Sequence, residues 1–382
     1  MNSTLSLDDD LQCSSDAIID LRFANPKDIS AWFYTQADRY IILVCFPLLF
    51  IFGVIGNGAF LLVVAFIEEM RTKTNFYLVN LAVADLIFIL AEVYENLITH
   101  LISPTVKSLS YNTPVGCGLM FTAIFGSHFA SVAFMVLLAL ERYLAICKPL
   151  KHRMLVAKRR TLSLVVMAWI FGFIYAVTLV SPHFFVVHKS CIIWPDDEQY
   201  ANLATVTINC VPIHPAYARF PYLMQSLPYI FALIVCIYMY ICIIKNLSTR
   251  SEVTASTAGN LDFEQKARRV RNQVARLLIT NAAVFFGCHL PHFMLRFNDA
   301  LLIYTNGRVG WKLSQSTWYI LFWCNRALGT ANSVVNPVIY SATNSRYRQA
   351  FWKVFTCRWK QKAPKYRKIE VSSAATKFVS RL

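Results

Sequence analysis

Ionisable and hydrogen-bonding residues stand inside long apolar runs of this 382-residue chain, and a charge placed there is a functional site by default because an isolated ion in lipid is costly. Asp85 lies in "LVNLAVADLIFIL", and polar partners for it stand in other runs: Asn57 in "GVIGNGAF", Ser131 in "HFASVAF", and Asn332, Ser333 and Asn336 in "TANSVVNPVIY". A carboxylate among hydroxyl and amide oxygens can line a water-filled seam, bind a small hard cation such as sodium, or form a structural hydrogen-bonded knot. A second set comprises Glu92, Glu95, His128, Gln225, His292, Arg296 and Arg326, interleaved with Tyr94, Phe125, Tyr222, Phe293, Phe322 and Trp323. Two arginines aimed into a pocket can donate hydrogen bonds to carbonyl or carboxylate oxygens, as an amidated or acidic peptide end presents them. Alternatively Arg296 and Arg326 pair with Glu92 or Glu95, and both readings can hold in the unliganded state. A third set is "LALERYLAICKPLKHRM", where an apolar run ends in Glu141-Arg142-Tyr143 and then breaks at Lys148-Pro149. There is no nucleophile–base constellation, metal-ligand spacing or phosphate loop, so the chain does not read as an enzyme.

The elements that must position these residues follow from composition. With 56% hydrophobic and 15% charged residues, the chain is far from the balance of a soluble domain. Seven runs exceed the roughly 20 residues needed to cross a bilayer: about 41–67, 75–101, 114–147, 159–183, 219–246, 265–297 and 316–341. A shorter amphipathic stretch, 344–356, follows. With the amino terminus outside, 26 of the 37 Lys and Arg fall in inner loops and the tail and eight on the outer side, which is the positive-inside pattern. The net charge of +16 is then explained by apposition to anionic inner lipid, without nucleic acid. Residues 1–40 read as an outer tail, 41–341 as one bundle, and 342–382 as an amphipathic helix and inner tail. No basic start or apolar h-region marks a cleaved signal peptide, and Asn2-Ser3-Thr4 is a glycosylation sequon at Asn2.

Cys13, Cys117, Cys191 and Cys210 fall on the oxidising side. Cys117 opens the third run, and either Cys191 or Cys210 bridges it. The alternation of "ATVTINCVP", read as the second strand of a hairpin begun by "HFFVVHK", favours a Cys117–Cys210 disulfide. Pro228, Pro291 and Pro337 sit inside runs five, six and seven, where each removes a backbone hydrogen bond and bends its helix, as a hinge or as a static kink.

Asn57, "LAVAD" ending at Asp85, Cys117, Glu141-Arg142-Tyr143, Trp169, Pro228, "FFGCHLP" ending at Pro291 and "NPVIY" 336–340 fall one set per run. In order and spacing the chain resembles the rhodopsin-like (class A) G-protein-coupled receptors over about residues 40–357. The resemblance implies an all-α membrane protein, a seven-transmembrane helix bundle with "SRYRQAFWKVF" as a short eighth helix on the inner leaflet and Cys357 as a palmitoylation site. It implies that Arg142, neutralised at rest by Glu141, is released on activation to meet a heterotrimeric G protein, with Tyr340 swinging in beneath it. Arrestin is the further inner partner. The last run has no lysine for a retinal Schiff base, and Ile124 stands where amine receptors carry an acid, so the expected ligand is an extracellular peptide bound at a plasma-membrane receptor. The long outer loop and "MRTKTNFYLVNLAVADL" resemble the neuropeptide receptors related to the thyrotropin-releasing-hormone, neuromedin and ghrelin receptors, which suggests Gq-type coupling. Other readings are a channel or transporter using the Asp85 seam, although no repeated halves are found, and a receptor for a lipid.

Three positions depart from that pattern. His289 replaces the usual Trp lever, so the motion there differs or answers to pH. Cys236 stands where many relatives carry a Tyr, with Tyr238 and Tyr240 on other faces. Arg271 occupies the inner start of run six where some members place an acid against Arg142. Without that restraint, cells expressing the chain are expected to show agonist-independent second-messenger output above empty vector; output equal to the vector control would refute it.

Overall fold

The computed structural model of the chain describes residues 18–105, 113–155, 158–180, 186–211, 220–253 and 261–356. Asn2 and Cys357 lie outside them, and so do the side chains of Cys210, Tyr222 and Arg271.

Long apolar runs become helices because only intrahelical bonding satisfies backbone N–H and C=O groups away from water. The order is β1 (Ile18–Asp20), α1 (Pro26–Ser30), α2 (Gln36–Tyr40), a π-helical turn (Ile41–Cys45), α3 (Phe46–Phe66), α4 (Lys73–Ile102), α5 (Pro114–Cys147), α6 (Pro149–Leu155), α7 (Lys158–Val180), β2 (Val186–Ile193), β3 (Val206–Val211), α8 (Phe220–Val253), α9 (Leu261–Tyr304), α10 (Gln315–Thr343) and α11 (Ser345–Phe355). Six of these helices are long and apolar enough to cross a membrane. The seventh, α10, matches them in length but buries Asn325, Thr330, Asn332, Ser333 and Asn336, so its polarity is internal to the bundle. Side-chain caps start several helices: Thr72 accepts from the Asn75 N–H, Thr113 from Gly116 and Ser314 from Thr317.

The core runs down the middle of the bundle through Phe60, Leu78, Phe134, Leu138, Leu277, Leu278 and Phe285, all nearly inaccessible. Helices α5 and α7 approach most closely at Gly172, where a Cβ would lie 2.6 Å from the Gly126 carbonyl oxygen and 2.8 Å from the Ala130 nitrogen. Only a residue without a side chain lets the two backbones pass there. Nearby, the Trp169 indole N–H donates to Asn80 Oδ1 at 3.0 Å.

Two of the three proline bends are answered by a side chain from a neighbouring helix. Pro228 cannot bond the Met224 carbonyl, and the Tyr175 hydroxyl donates to it at 2.7 Å. Pro337 likewise frees the Ser333 carbonyl, which accepts from Asn57 Nδ2 at 2.9 Å. Beside Pro291, the Phe286 carbonyl accepts from the Tyr229 hydroxyl at 2.6 Å. The bends at Pro228 and Pro337 are therefore held from outside their own helices, which the sequence reading left open.

The amino-terminal segment is more than a tail. β1 pairs in parallel with β2, with Ile18 opposite Cys191, and β2 pairs antiparallel with β3, with Val187 opposite Cys210 and Cys191 opposite Val206. Leu21, Ile29, Trp32, Ile192 and Trp194 bury one another beneath this sheet, with Phe33 and Tyr200 packed alongside. The Tyr319 hydroxyl of α10 donates to Asp38 and shares a 2.9 Å hydrogen bond with Thr35, tying α2 to the bundle. Burial, with Asp38 beside it, pushes the Tyr34 phenol up to about 12, so it stays protonated.

The expected hairpin is present, but its first strand extends to Ile193 and carries Cys191. Cys117 and Cys191 are the disulfide-bonded cysteines among the described side chains, and β2 packs against α5. The side chain of Cys210, and with it the expected Cys117–Cys210 bridge, lies outside the described residues.

Tyr175→Phe removes the hydroxyl that answers the Pro228 bend and leaves a buried carbonyl unmet, at a cost of about 1–3 kcal/mol. A lower thermal midpoint of the detergent-solubilised protein is expected, with the exposed Tyr94→Phe as the unchanged comparison; equal midpoints would refute the assignment.

Candidate functional site

Polar groups gather at three depths along the bundle. At the inner rim, the end of α5 brings Glu141 and Arg142 against the start of α4. Arg142 Nε donates to Glu141 Oε2 at 2.6 Å, and its Nη2 donates to the Thr74 hydroxyl. His152 of α6 stands 3.6 Å from the other Glu141 oxygen. Tyr143 turns aside, with the Lys148 ammonium 5.7 Å from its ring centroid. Tyr340 is buried, packed against Phe60 and Tyr347 at centroid distances of 5.0 and 5.7 Å, and its hydroxyl has no hydrogen-bond partner. The Tyr347 hydroxyl instead donates to Asn75, whose Nδ2 donates to the Met70 carbonyl, locking α11 onto the first inner turn. Arg142 is thus engaged on one side, while Tyr340 sits elsewhere with an unused hydroxyl.

At mid-depth, Asp85 of α4 is 2% exposed and accepts from Ser333 Oγ at 3.0 Å and Asn336 Nδ2 at 2.6 Å. Asn57 does not reach it and serves the Pro337 bend instead. Ser131 and Asn332 line the small cavity beside Asp85 together with Phe88, His128, Phe285, His289 and Ser333. Asn332 Oδ1 has no hydrogen-bond partner there. The oxygens of Asp85, Ser131, Asn332 and Ser333 are the donor set a small hard cation takes.

Near the outer ends of the helices lies a cavity of about 270 Å³. Glu92 and Glu95 of α4, Phe125 and His128 of α5, His292 and Arg296 of α9, and Arg326 of α10 all line it, and His289 reaches it from below. Gln225 is half-buried on α8 and is not among the lining residues. Phe121, Asp299, Trp318 and Asn325 also line it; their types are common in any helix, and no spacing singled them out. Arg326 Nε donates to Glu92 at 2.6 Å and Nη2 to Glu95 at 3.0 Å, while the guanidinium stacks 5.4 Å from the Phe322 ring centroid. Arg296 does not pair with either glutamate; its Nη1 lies 3.5 Å from Asp299, one turn along the same helix.

The middle and outer levels share a partition. Phe88, His128 and His289 line both the outer cavity and the Asp85 cavity. His289 stands edge to face against His128 at 4.7 Å and 4.8 Å from Phe285. Pro291 lies half a turn beyond it, at the bend of α9. A displacement of the partition would therefore act on the Asp85 cluster and on the bent part of α9 together. In the fifth long helix, Cys236 is buried and Tyr240 donates to the Leu278 carbonyl at 3.3 Å, joining α8 to α9, whereas Tyr238 is exposed.

A profile of the 7 transmembrane receptor (rhodopsin family) matches residues 56–340. Among characterised proteins the chain is similar to the thyrotropin-releasing hormone receptor of Gallus gallus, at 26% identity over 87% of this chain and 83% of the relative. It is also similar to the neuromedin U receptor homolog nmur-2 of Caenorhabditis elegans, 25% identical over 81% of this chain and 77% of the relative. Neuromedin-U receptor 2 of Mus musculus is 25% identical over 83% and 76%.

Arg326→Ala removes the cation that Glu92 holds in a nearly inaccessible position, and breaking a buried pair from one side costs about 3–5 kcal/mol. Surface display is expected to fall severalfold, with only partial recovery in Arg326→Lys, since an ammonium lacks the planar fork that meets two carboxylates. Flow cytometry on an amino-terminal epitope measures this; full display of Arg326→Ala would show the pair to be dispensable.

Proposed function

The chain belongs to the rhodopsin family of seven-transmembrane receptors, and we propose that it is a plasma-membrane receptor for an extracellular peptide, with its amino terminus outside and Gq-type coupling inside. Membership makes it a multi-pass, non-enzymatic G-protein-coupled receptor. The relatives, named as receptors for thyrotropin-releasing hormone and neuromedin U, support the peptide. The observation that carries the reading is the stacking of three polar levels in one bundle: an outer cavity with charged and aromatic walls, the Asp85 cluster, and the Arg142 lock.

The chemistry is differential binding rather than catalysis. A peptide entering the outer cavity bears on α4, α9 and α10 at once, because Glu92 and Glu95 are tied to Arg326 and Arg296 lies across the space. Motion of α9 about its proline bend opens the inner rim, where Arg142 leaves Glu141 and Thr74 and Tyr340 moves in beneath it. Agonist and G protein must then raise each other's affinity by the same factor. A sodium ion fits the oxygen donors around Asp85 and would favour the resting arrangement. The basic face of α11, with Arg346, Arg348 and Lys353, suits anionic inner-leaflet lipid, and arrestin would use the same inner rim. A channel or transporter built on Asp85 has no counterpart among these relatives.

Expressed with a promiscuous G protein and screened against amidated neuropeptides, the receptor is expected to give calcium responses. Arg142→Ala is expected to abolish them while labelled agonist still binds. Arg296→Ala and Arg326→Ala, where displayed, are expected to shift the dose response at least tenfold. A receptor on the cell surface that answers no peptide, but answers a lipid extract, would overturn the ligand assignment.

A further inference from the structure

We propose that His152 is a positioning residue for the Arg142 lock: on taking up a proton from the inner solution, its imidazole replaces Arg142 as the cation beside Glu141 and favours the released state. The inference rests on the role given above to Arg142 and not on the identity of the ligand. Pro149 opens α6 where a missing N–H costs nothing, and the His152 N–H closes the first turn onto the Lys148 carbonyl at 2.9 Å. The short helix packs beside the end of α5 and brings the ring to Glu141.

Glu141 presents its two oxygens to two different groups. Oε2 accepts from Arg142 Nε at 2.6 Å, whereas Oε1 faces His152 Nε2 at 3.6 Å, too long for a hydrogen bond and close enough for an ion pair. Nε2 is shut off from solvent and has no hydrogen-bond partner. Once the ring is charged both of its nitrogens carry hydrogen, so Nε2 becomes a donor and a small movement gives it the acceptor it lacks. The side chains of Glu141, Arg142 and His152 are 14%, 17% and 24% exposed, and charges that meet there are weakly screened by water.

The surrounding charges decide which state the proton prefers. Lys73 and Tyr77 of α4, Arg160 of α7 and Glu141 of α5 line the inner cleft with His152. Arg142 adjoins it through Glu141, and Lys148 and Lys151 lie on α6 itself. Glu141 is the one carboxylate among these groups. While Arg142 stays on Glu141, a proton on His152 sets two cations on one anion, with further positive charge around them. After Arg142 leaves, the carboxylate has lost its cation, which is the costly part of breaking such a pair, and a charged imidazole already stands beside it. The released state therefore binds the proton more tightly, and by linkage the proton favours release. Imidazole is the side chain whose ordinary titration spans the pH range of cells, so a fall in inner pH raises coupling and a rise lowers it.

Washed membranes carrying full-length receptor and a promiscuous G protein expose the inner face. Agonist-independent GTPγS binding is read at about pH 6 and about pH 7.5, above membranes with the G protein alone, and scaled to receptor displayed through an amino-terminal epitope. The native receptor is expected to exchange about fivefold faster at the lower pH, within the change in charged fraction of a free imidazole over that interval. His152→Gln, neutral at both pH values, should be slow at both, and His152→Lys, charged at both, should be fast at both. A native ratio of one, a native-like ratio persisting in His152→Gln, or a displayed His152→Lys no faster than the native receptor at the higher pH would each overturn the proposal. Arg142→Ala separates this from the reading beneath it. Exchange retained without Arg142 would remove the lock itself, whereas exchange lost there with a native-like ratio in His152→Gln would remove the imidazole's part alone.

Discussion

A backbone carbonyl inside a membrane has no water to turn to, and the bundle's distinctive geometry depends on meeting that constraint where proline breaks a helix. The Met224 and Ser333 carbonyls are each taken up by a side chain from another helix, Tyr175 and Asn57, and Tyr229 joins α8 to the Phe286 carbonyl on the turn before Pro291. These are cross-helix bonds, so each bend is also a joint between two elements. The bent parts of α8, α9 and α10 consequently cannot be altered independently of α7, α3 and their neighbours. That coupling lets a small displacement at the outer cavity become a different arrangement at the inner rim, because packed bundles change between discrete arrangements and do not deform smoothly.

The resting arrangement has two ends that are set differently. At the inner rim Arg142 is engaged by Glu141 and Thr74, whereas Tyr340 is buried with a hydroxyl that bonds nothing. An engaged cation and an unengaged hydroxyl in one bundle describe a state that is stable in one place and expectant in another. Between them and the outer cavity, His289 and His128 pack edge to face. Gly329 of α10 lies against His289, where an added Cβ would stand 3.6 Å from the ring, so the imidazole fills its slot from both sides.

Much of this was legible in the sequence. Hydropathy located all seven long helices, and the seam residues Asp85, Ser333 and Asn336 do meet. What stayed hidden was pairwise choice. Asn57 was read as a partner for Asp85, yet it is aimed by the helix crossing at the Ser333 carbonyl, a backbone group with no signature in residue type. Arg296 was read either as a ligand contact or as a partner of Glu92 or Glu95, and the ion pair it makes is local, since Asp299 is one turn away and needs no tertiary packing. The segment before the first span carried no periodicity long enough to read, so a three-residue strand and two five-residue helices passed as tail.

That short strand has a consequence for how the molecule is made. β1 leaves the ribosome ahead of everything else described here, yet its partner β2 follows only after four spans have been synthesised and threaded. Until then the strand has an unpaired edge, open to any stray strand it meets. The sheet is therefore completed late, by the earliest and the middle parts of the chain meeting after four long helices have been made between them.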